Sequence, residues 1–190
     1  MDSIGFYDEN SESYSKMTFG ADMSDARNRF IAHLRPGSRI LDLGCGSGRD
    51  SSAFHAMGFD VTPVDGSEGM CRIAERNTGL KVRHLLFSDL DYHGCFDGVW
   101  ACSSLLHVPS RELPDIMAKV SEAMVPGGSF YLTFKEGDFE GERDGRYYTD
   151  MTFDSLRGLA GGCGFDVVDM WESKQPDRDI DWINAILSRP

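Results

Sequence analysis

Arg39-Ile40-Leu41-Asp42-Leu43-Gly44-Cys45-Gly46-Ser47-Gly48-Arg49-Asp50 joins an apolar run with an acidic residue near its end to three alternate glycines and then to residues suited to open a helix. The apolar run reads as a buried strand. Glycines at alternate places let the backbone turn sharply, keep side chains out of a cleft and present amides at a helix start. The segment therefore predicts strand, tight loop and helix, with a small ligand lying against main chain.

On either side, short β-rich runs alternate with helical patterns, the mark of a parallel sheet covered on both faces, so the predicted class is a doubly wound α/β fold. Residues 8–16 and 23–34 read as helical, and Arg35-Pro36-Gly37 turns the chain into a first strand at 39–43. A helix over 49–57 stops at Gly58, and a second strand over 59–64 ends at Asp65, with Pro63 awkward inside it. Ser67 is placed to cap a helix through Asn77. Residues 81–86 read as a third strand, 88–91 as a polar loop, and 96–102 as a fourth strand buried on both faces. Ser110 opens a helix whose Leu113, Ile116, Met117, Val120 and Met124 recur at helical spacing. Pro126-Gly127-Gly128 leads into a fifth strand at 129–134, followed by a charged loop over 135–146 and a helix over 152–163. Two last strands, 165–171 and 182–187, are joined by a turn-like stretch at 174–179.

The 190 residues, 41% of them hydrophobic with 12 Phe and 3 Trp, suit one compact domain. No apolar run approaches the ~20 residues that a bilayer crossing needs. Residues 1–8 lack the basic start and apolar stretch of a secretory signal, which predicts a cytoplasmic location. The cysteines at 45, 71, 95, 102 and 163 show no CxxC spacing, so neither a disulfide framework nor a metal cluster is expected. A net charge of -12 repels polyanions, which disfavours nucleic acid as a partner and leaves small molecules or proteins, acted on by a monomer or homodimer.

From Pro36 onward the chain resembles the class I S-adenosylmethionine-dependent methyltransferase family. Residues 42–48 are similar to its cofactor loop, Val64-Asp65-Gly66-Ser67 to its ribose-binding strand end, and Ser88-Asp89-Leu90 to its segment beside the adenine. Residues 96–102 are similar to its fourth strand, and Val125-Pro126-Gly127-Gly128-Ser129 to the turn before its fifth. More narrowly, Gly48-Arg49-Asp50-Ser51 with residues 103–109 is similar to small bacterial members often grouped with tellurite-resistance enzymes. The resemblance implies a seven-stranded Rossmann-like sheet of order 3-2-1-4-5-7-6 with the last strand antiparallel, residues 1–35 forming a helical lid or cap. It also implies S-adenosylmethionine as cofactor and methyl transfer to a small-molecule acceptor by in-line displacement.

The residues themselves bear on the same chemistry. Asp65 lies 21 positions after Gly44, the interval that brings a carboxylate from the end of a second strand onto two ribose hydroxyls. An Asp before Gly66-Ser67 can instead cap a helix. Asp42 can orient a cationic amino-acid end or cap the loop; Gly44, Cys45, Gly46 and Gly48 can cradle the ligand. Asp89 can bond an adenine amine with Leu90 or Phe87 on the ring, or serve only as a turn residue. Ala101 and Cys102 are small where a sulfonium and methyl would lie. His107 follows the fourth strand as a candidate base, with packing of the turn before Ser110 as its alternative. Phe6, Tyr7 and Tyr14 can form an aromatic lid or a plain amphipathic helix. Lys135, Arg146, Tyr147 and Tyr148 can line an acceptor site or stand as surface charges and staples. A nicotinamide enzyme prefers Gly-x-Gly-x-x-Gly, and this loop has Arg49 or Ser51 at the third place. No Asn-Pro-Pro-Tyr-like turn follows the fourth strand, which disfavours base or glutamine methylation. A non-catalytic regulator that binds the cofactor stays open; a wide pocket lined by His107 and Arg146 would favour an enzyme.

Overall fold

The apolar residues Ile40, Leu41 and Leu43 are fully buried in β1 (Arg39–Leu43), the strand from which the sheet is built outward. The computed structural model describes residues 3–175 and 180–190; of the turn expected across 174–179, residues 174 and 175 are strand and 176–179 lie outside the described residues. Two helices, α1 (Ser3–Thr18) and α2 (Ser24–Ile31), precede β1, and α3 (Arg49–Ala56) follows its loop. Then come β2 (Asp60–Asp65), α4 (Glu68–Thr78), β3 (Arg83–His84), β4 (Phe96–Ala101), α5 (Leu113–Ala123) and β5 (Met124–Lys135). The chain continues through β6 (Glu140–Arg143), β7 (Arg146–Thr149), α6 (Phe153–Gly162), β8 (Asp166–Gln175) and β9 (Ile180–Ser188). Seven strands form one sheet in the order β3-β2-β1-β4-β5-β9-β8, in which β9 runs antiparallel to both neighbours. Numbered without the separate β6–β7 pair, this is 3-2-1-4-5-7-6, the Rossmann-like order expected.

Alternation along the strands gives each face its own core. One face packs Leu41, Leu43, Val99, Phe130 and Leu132 under Met117 and Val120 of α5 and Leu156 and Ala160 of α6. The other is aromatic: Trp100 stacks on Tyr131 at 3.9 Å, with Phe30 and Phe54 against it. A Cβ on Gly98 would stand 2.7 Å from Phe30 Cζ, so this glycine admits the ring that fastens α2 to the sheet. Burying that ring is worth roughly 2–3 kcal/mol.

Some expected elements change. The third strand shrinks from 81–86 to Arg83–His84, paired only with Val64 and Asp65. Pro63 sits comfortably because Asp65 O is bonded by Leu85 N on the β3 side. Two residues back, Pro63 faces that same side before β3 begins, so no ladder donor is lost. The charged loop expected over 135–146 is instead the end of β5 and most of an antiparallel hairpin, β6–β7, turned by Asp144 and Gly145 at φ 54° and 74°. The first helix is longer than the 8–16 expected, and the second is shorter than 23–34. No helix among the described residues is long and apolar enough to cross a membrane, and the five cysteines are free.

Candidate active site

The three loop glycines all take positive φ, yet they serve different ends. A Cβ on Gly44 would stand 2.5 Å from Ser104 Cβ and one on Gly48 2.6 Å from Thr78 Cγ2, so both are packing positions. Gly46 has nothing nearer than Met70 Cε at 3.8 Å, and its backbone borders an open cavity. Asp65 ties this loop to the next turn: its Oδ2 accepts from Gly46 N at 2.8 Å and its Oδ1 from Ser67 N at 2.9 Å. The cap of α4 is Ser67, which accepts from Met70 N, so Asp65 is free of that duty. Burial raises the Asp65 pKa against those two amide bonds, and each oxygen keeps a lone pair for a further donor such as a ribose hydroxyl.

Deeper in the cavity, Asp42 accepts from Ser51 Oγ, and burial beside Asp50 pushes its pKa up to about 7. Asp50 is buried too, but the guanidiniums of Arg49 and Arg27, each 2.6 Å away, overcome the burial and hold it below the usual carboxylate range. Cys102 touches Arg49 Nη2 at 3.4 Å, and burial pushes its thiol up to about 12, so it stays neutral. Asp42 and Arg49, both in the cavity wall, suit the two charges of a zwitterionic amino-acid end, and Asp65, oriented by the Gly46 amide, suits a ribose; the set fits S-adenosylmethionine.

The other half of the cavity is aromatic and cationic. His107 closes the short turn Leu105–His107 after β4, with Nδ1 2.7 Å from Tyr147 O and Nε2 2.8 Å from Tyr7 Oη. A carbonyl only accepts, so Nδ1 carries the proton and Nε2 accepts from the Tyr7 hydroxyl. Burial, with Arg146 and Lys135 nearby, pushes the His107 pKa down to about 4 against its bond to Tyr147. Burial raises the Tyr7 pKa far above its ordinary value. Lys135 Nζ lies 3.9 Å over the Tyr148 ring, and burial beside Arg143 pushes its pKa down to about 8.

One cavity of about 1090 Å³ connects these groups, from Gly44, Gly46 and Asp65 to His107, Arg146 and Trp182. Of the residues expected at the site, Asp42, Gly44, Cys45, Gly46, Asp65, Gly66, Ser67, Cys102, His107, Tyr14, Lys135 and Arg146 line it. Gly48, Asp89, Leu90, Ala101 and Tyr147 do not. Gly48 is packed under α4, Leu90 and Ala101 are buried in the core, and Asp89 is exposed. Phe87, the alternative to Leu90 for the adenine ring, borders the cavity with Leu86 beside it. Tyr147 sends its hydroxyl to Glu140, and strand alternation turns Tyr148 inward instead. Trp171, Trp182 and Asn184 were missed altogether. Because β9 is antiparallel, its start lies at the sheet edge where β1 and β4 end, a consequence already implicit in the strand order. Outside the cavity wall, Glu136, Glu172 and Asp181 bring carboxylate oxygens within 4.8 Å of one another, and Lys174 lies against the last two as counter-charge.

A family model described as "Methyltransferase domain" matches residues 40–128. The chain is 31% identical over 105 residues to a ubiquinone biosynthesis O-methyltransferase of Xanthomonas campestris, covering 52% of this chain and 43% of that one. It thus spans less than half the length of the curated relatives it matches. Among solved structures, 1,6-didemethyltoxoflavin-N1-methyltransferase of Burkholderia thailandensis, with bound 1,6-didemethyltoxoflavin and S-adenosylhomocysteine, superposes with a TM-score of 0.82 at 25% identity, over 97% of this chain and 85% of that one. Magnesium protoporphyrin IX methyltransferase of Synechocystis shares the fold with a TM-score of 0.80 at 16% identity, over 98% of both chains.

Proposed function

The chain belongs to the class I S-adenosylmethionine-dependent methyltransferase family, and on that premise we propose that it methylates a small-molecule acceptor held beside Tyr7 and His107. The observation that carries this reading is the continuity of the cavity, about 1090 Å³. Beyond the residues on the cofactor's side the cavity runs on to His107, Arg146 and Trp182, a stretch of wall available to an acceptor. A regulator that only binds the cofactor has no use for that second half.

When bound, the cofactor supplies a sulfonium methyl that an acceptor nucleophile takes by in-line displacement. The residues position and shield. Asp65, oriented by the Gly46 amide, would hold the ribose end and Asp42 and Arg49 the amino-acid end, and the small Cys102 and Ser103 leave space beside the methyl. Of the segment before the sheet, residues 3–35 act as a helical cap, with α1 keeping water from the reacting atoms. An acceptor proton leaves towards Tyr7 Oη while the Tyr7 proton passes to His107 Nε2. With its pKa near 4, His107 is a weak sink, which suits an acceptor already acidic or ionised.

The test is incubation of the protein and methyl-labelled S-adenosylmethionine with fractionated metabolite extracts, followed by identification of labelled products. A labelled small molecule is the expected result. Tight S-adenosylhomocysteine binding with no label transferred to any fraction would move the assignment to a binding-only regulator.

A further inference from the structure

The acceptor half of the cavity holds two cations that no carboxylate meets at ion-pair distance among the described residues; Asp150, held by Arg143 at 3.1 Å, and Asp144 act on Lys135 only from farther off. Elsewhere along the wall, Arg49 reaches Asp50 at 2.6 Å and Lys174 reaches Asp181 at 3.1 Å. Among the described residues, Lys135 and Arg146 form no ion pair. Asp144, on the exposed turn of the hairpin, pairs with neither.

Arg146 is enclosed by rings: its Cζ lies 4.6 Å from the Phe6 centroid, 5.3 Å from Tyr148 and 5.9 Å from Tyr7. Its one polar side-chain contact is the Tyr7 hydroxyl at 3.5 Å, and its Nε, sealed from solvent, has no acceptor. A guanidinium has five donors, and this half-buried one lines the cavity with most of them uncommitted to protein acceptors. Lys135 stands over the same Tyr148 ring, and the mutual repulsion of these cations helps to hold its pKa down. The chain carries a net charge of -12, so a positive wall here is a local construction and not a by-product of composition. The cavity's buried carboxylates are already engaged, Asp42 by Ser51, Asp50 by two arginines and Asp65 by two amides.

We propose that the acceptor is a small aromatic carboxylate, with its carboxylate seated on Arg146 and Lys135 and its ring among Tyr14, Tyr148 and Trp182. The planar fork of Arg146 matches a carboxylate in a bidentate way, and the surrounding rings give a flat acceptor apolar walls. This rests on reading the site as that of a methyltransferase, and it names the class of substrate.

The test is calorimetric titration of the S-adenosylhomocysteine-loaded protein with benzoate, 2-naphthoate and indole-3-carboxylate, each beside its methyl ester. At least one carboxylate should bind about tenfold or more tightly than its ester, as a charge-assisted pair requires. Arg146→Gln and Lys135→Gln should each abolish that preference while leaving S-adenosylhomocysteine affinity unchanged. Carboxylates binding no better than esters, or a preference that survives both substitutions, would overturn the proposal. Failure to bind S-adenosylhomocysteine at all would overturn the methyltransferase reading instead, so the two outcomes stay distinct.

Discussion

Tyr7 Oη and His107 Nε2 meet at 2.8 Å across 100 positions of sequence, so the hydroxyl of the first helix occupies the ring nitrogen that a general base would expose. The Nδ1 proton is committed to Tyr147 O, which fixes the tautomer. Long-range proton–nitrogen correlation spectra should show His107 as a single Nδ1–H form that does not titrate above pH 5. An ordinary titration near pH 6.5 would mean that Tyr7 leaves the ring open to water.

The pH dependence of stability follows from two buried groups of opposite sign. The His107 pKa falls from 6.5 to about 4 on folding, so the unfolded chain takes up the proton first. Its contribution is complete above pH 6.5 and lost as pH falls to 4, worth about 3 kcal/mol at most. The Asp42 pKa rises from 3.8 to about 7, so its contribution is complete below pH 3.8 and lost as pH rises through 7. Asp42→Asn removes only the second, and urea midpoints of that variant should drop more steeply than the parent's between pH 7 and 4. Parallel slopes would show that Asp42 ionises normally.

Asp65→Ala should weaken S-adenosylhomocysteine binding by about 1.5–3 kcal/mol, the worth of hydrogen bonds to a charged acceptor. It also frees the Gly46 and Ser67 amides, so Tm should fall modestly as well. Calorimetry paired with thermal melts separates the two effects. A lower Tm with unchanged affinity would make Asp65 a purely structural tie.

Most strands were legible because an apolar run announced them and glycine or proline marked their turns, from Arg39 to Leu43 outward, whereas their order in the sheet came from the family resemblance. Charge hid the hairpin: the residues from Glu140 to Arg146 read as loop although Asp144-Gly145 is an Asp-Gly pair, a strong signal for a two-residue turn with positive φ at both places. Missing it left Tyr147 and Tyr148 alike as candidates for the wall, although a strand exchanges faces at every residue and only Tyr148 turns in. The site's near half was readable because Asp42, Gly46 and Asp65 act close to their own turns. Its far half depends on which distant segments meet, as Tyr7 meets His107, and no local pattern carries that.

Glycine substitutions should separate packing from cofactor contact. Gly48→Ala drives a methyl to 2.6 Å from Thr78 Cγ2 and should lower stability by about 2 kcal/mol or more, strain and overpacking together. Gly46→Ala meets only Met70 Cε at 3.8 Å and should cost about 1 kcal/mol through its positive φ, with a larger loss of S-adenosylhomocysteine affinity. Denaturant unfolding and calorimetry on both variants check the pair. Equal affinity losses would mean that the two glycines serve the ligand alike.

Asp8 supplies the last prediction because its carboxylate joins the first helix to the segment that holds the ribose end. Its Oδ1 accepts from Ser67 Oγ at 2.7 Å and from Gly69 N at 2.9 Å, which clamps α1 onto the N-terminus of α4. Gly69 allows the approach, for a Cβ there would stand 3.1 Å from Asp8 O. If α1 is a cap that opens for exchange, Asp8→Ala should raise the dissociation rate of S-adenosylhomocysteine about tenfold, the worth of two hydrogen bonds, one of them to a helix-start amide. The association rate should change little, since the open state already admits ligand. Stopped-flow displacement measures both rates, and an unchanged dissociation rate would make α1 a fixed wall whose attachment has no part in cofactor release.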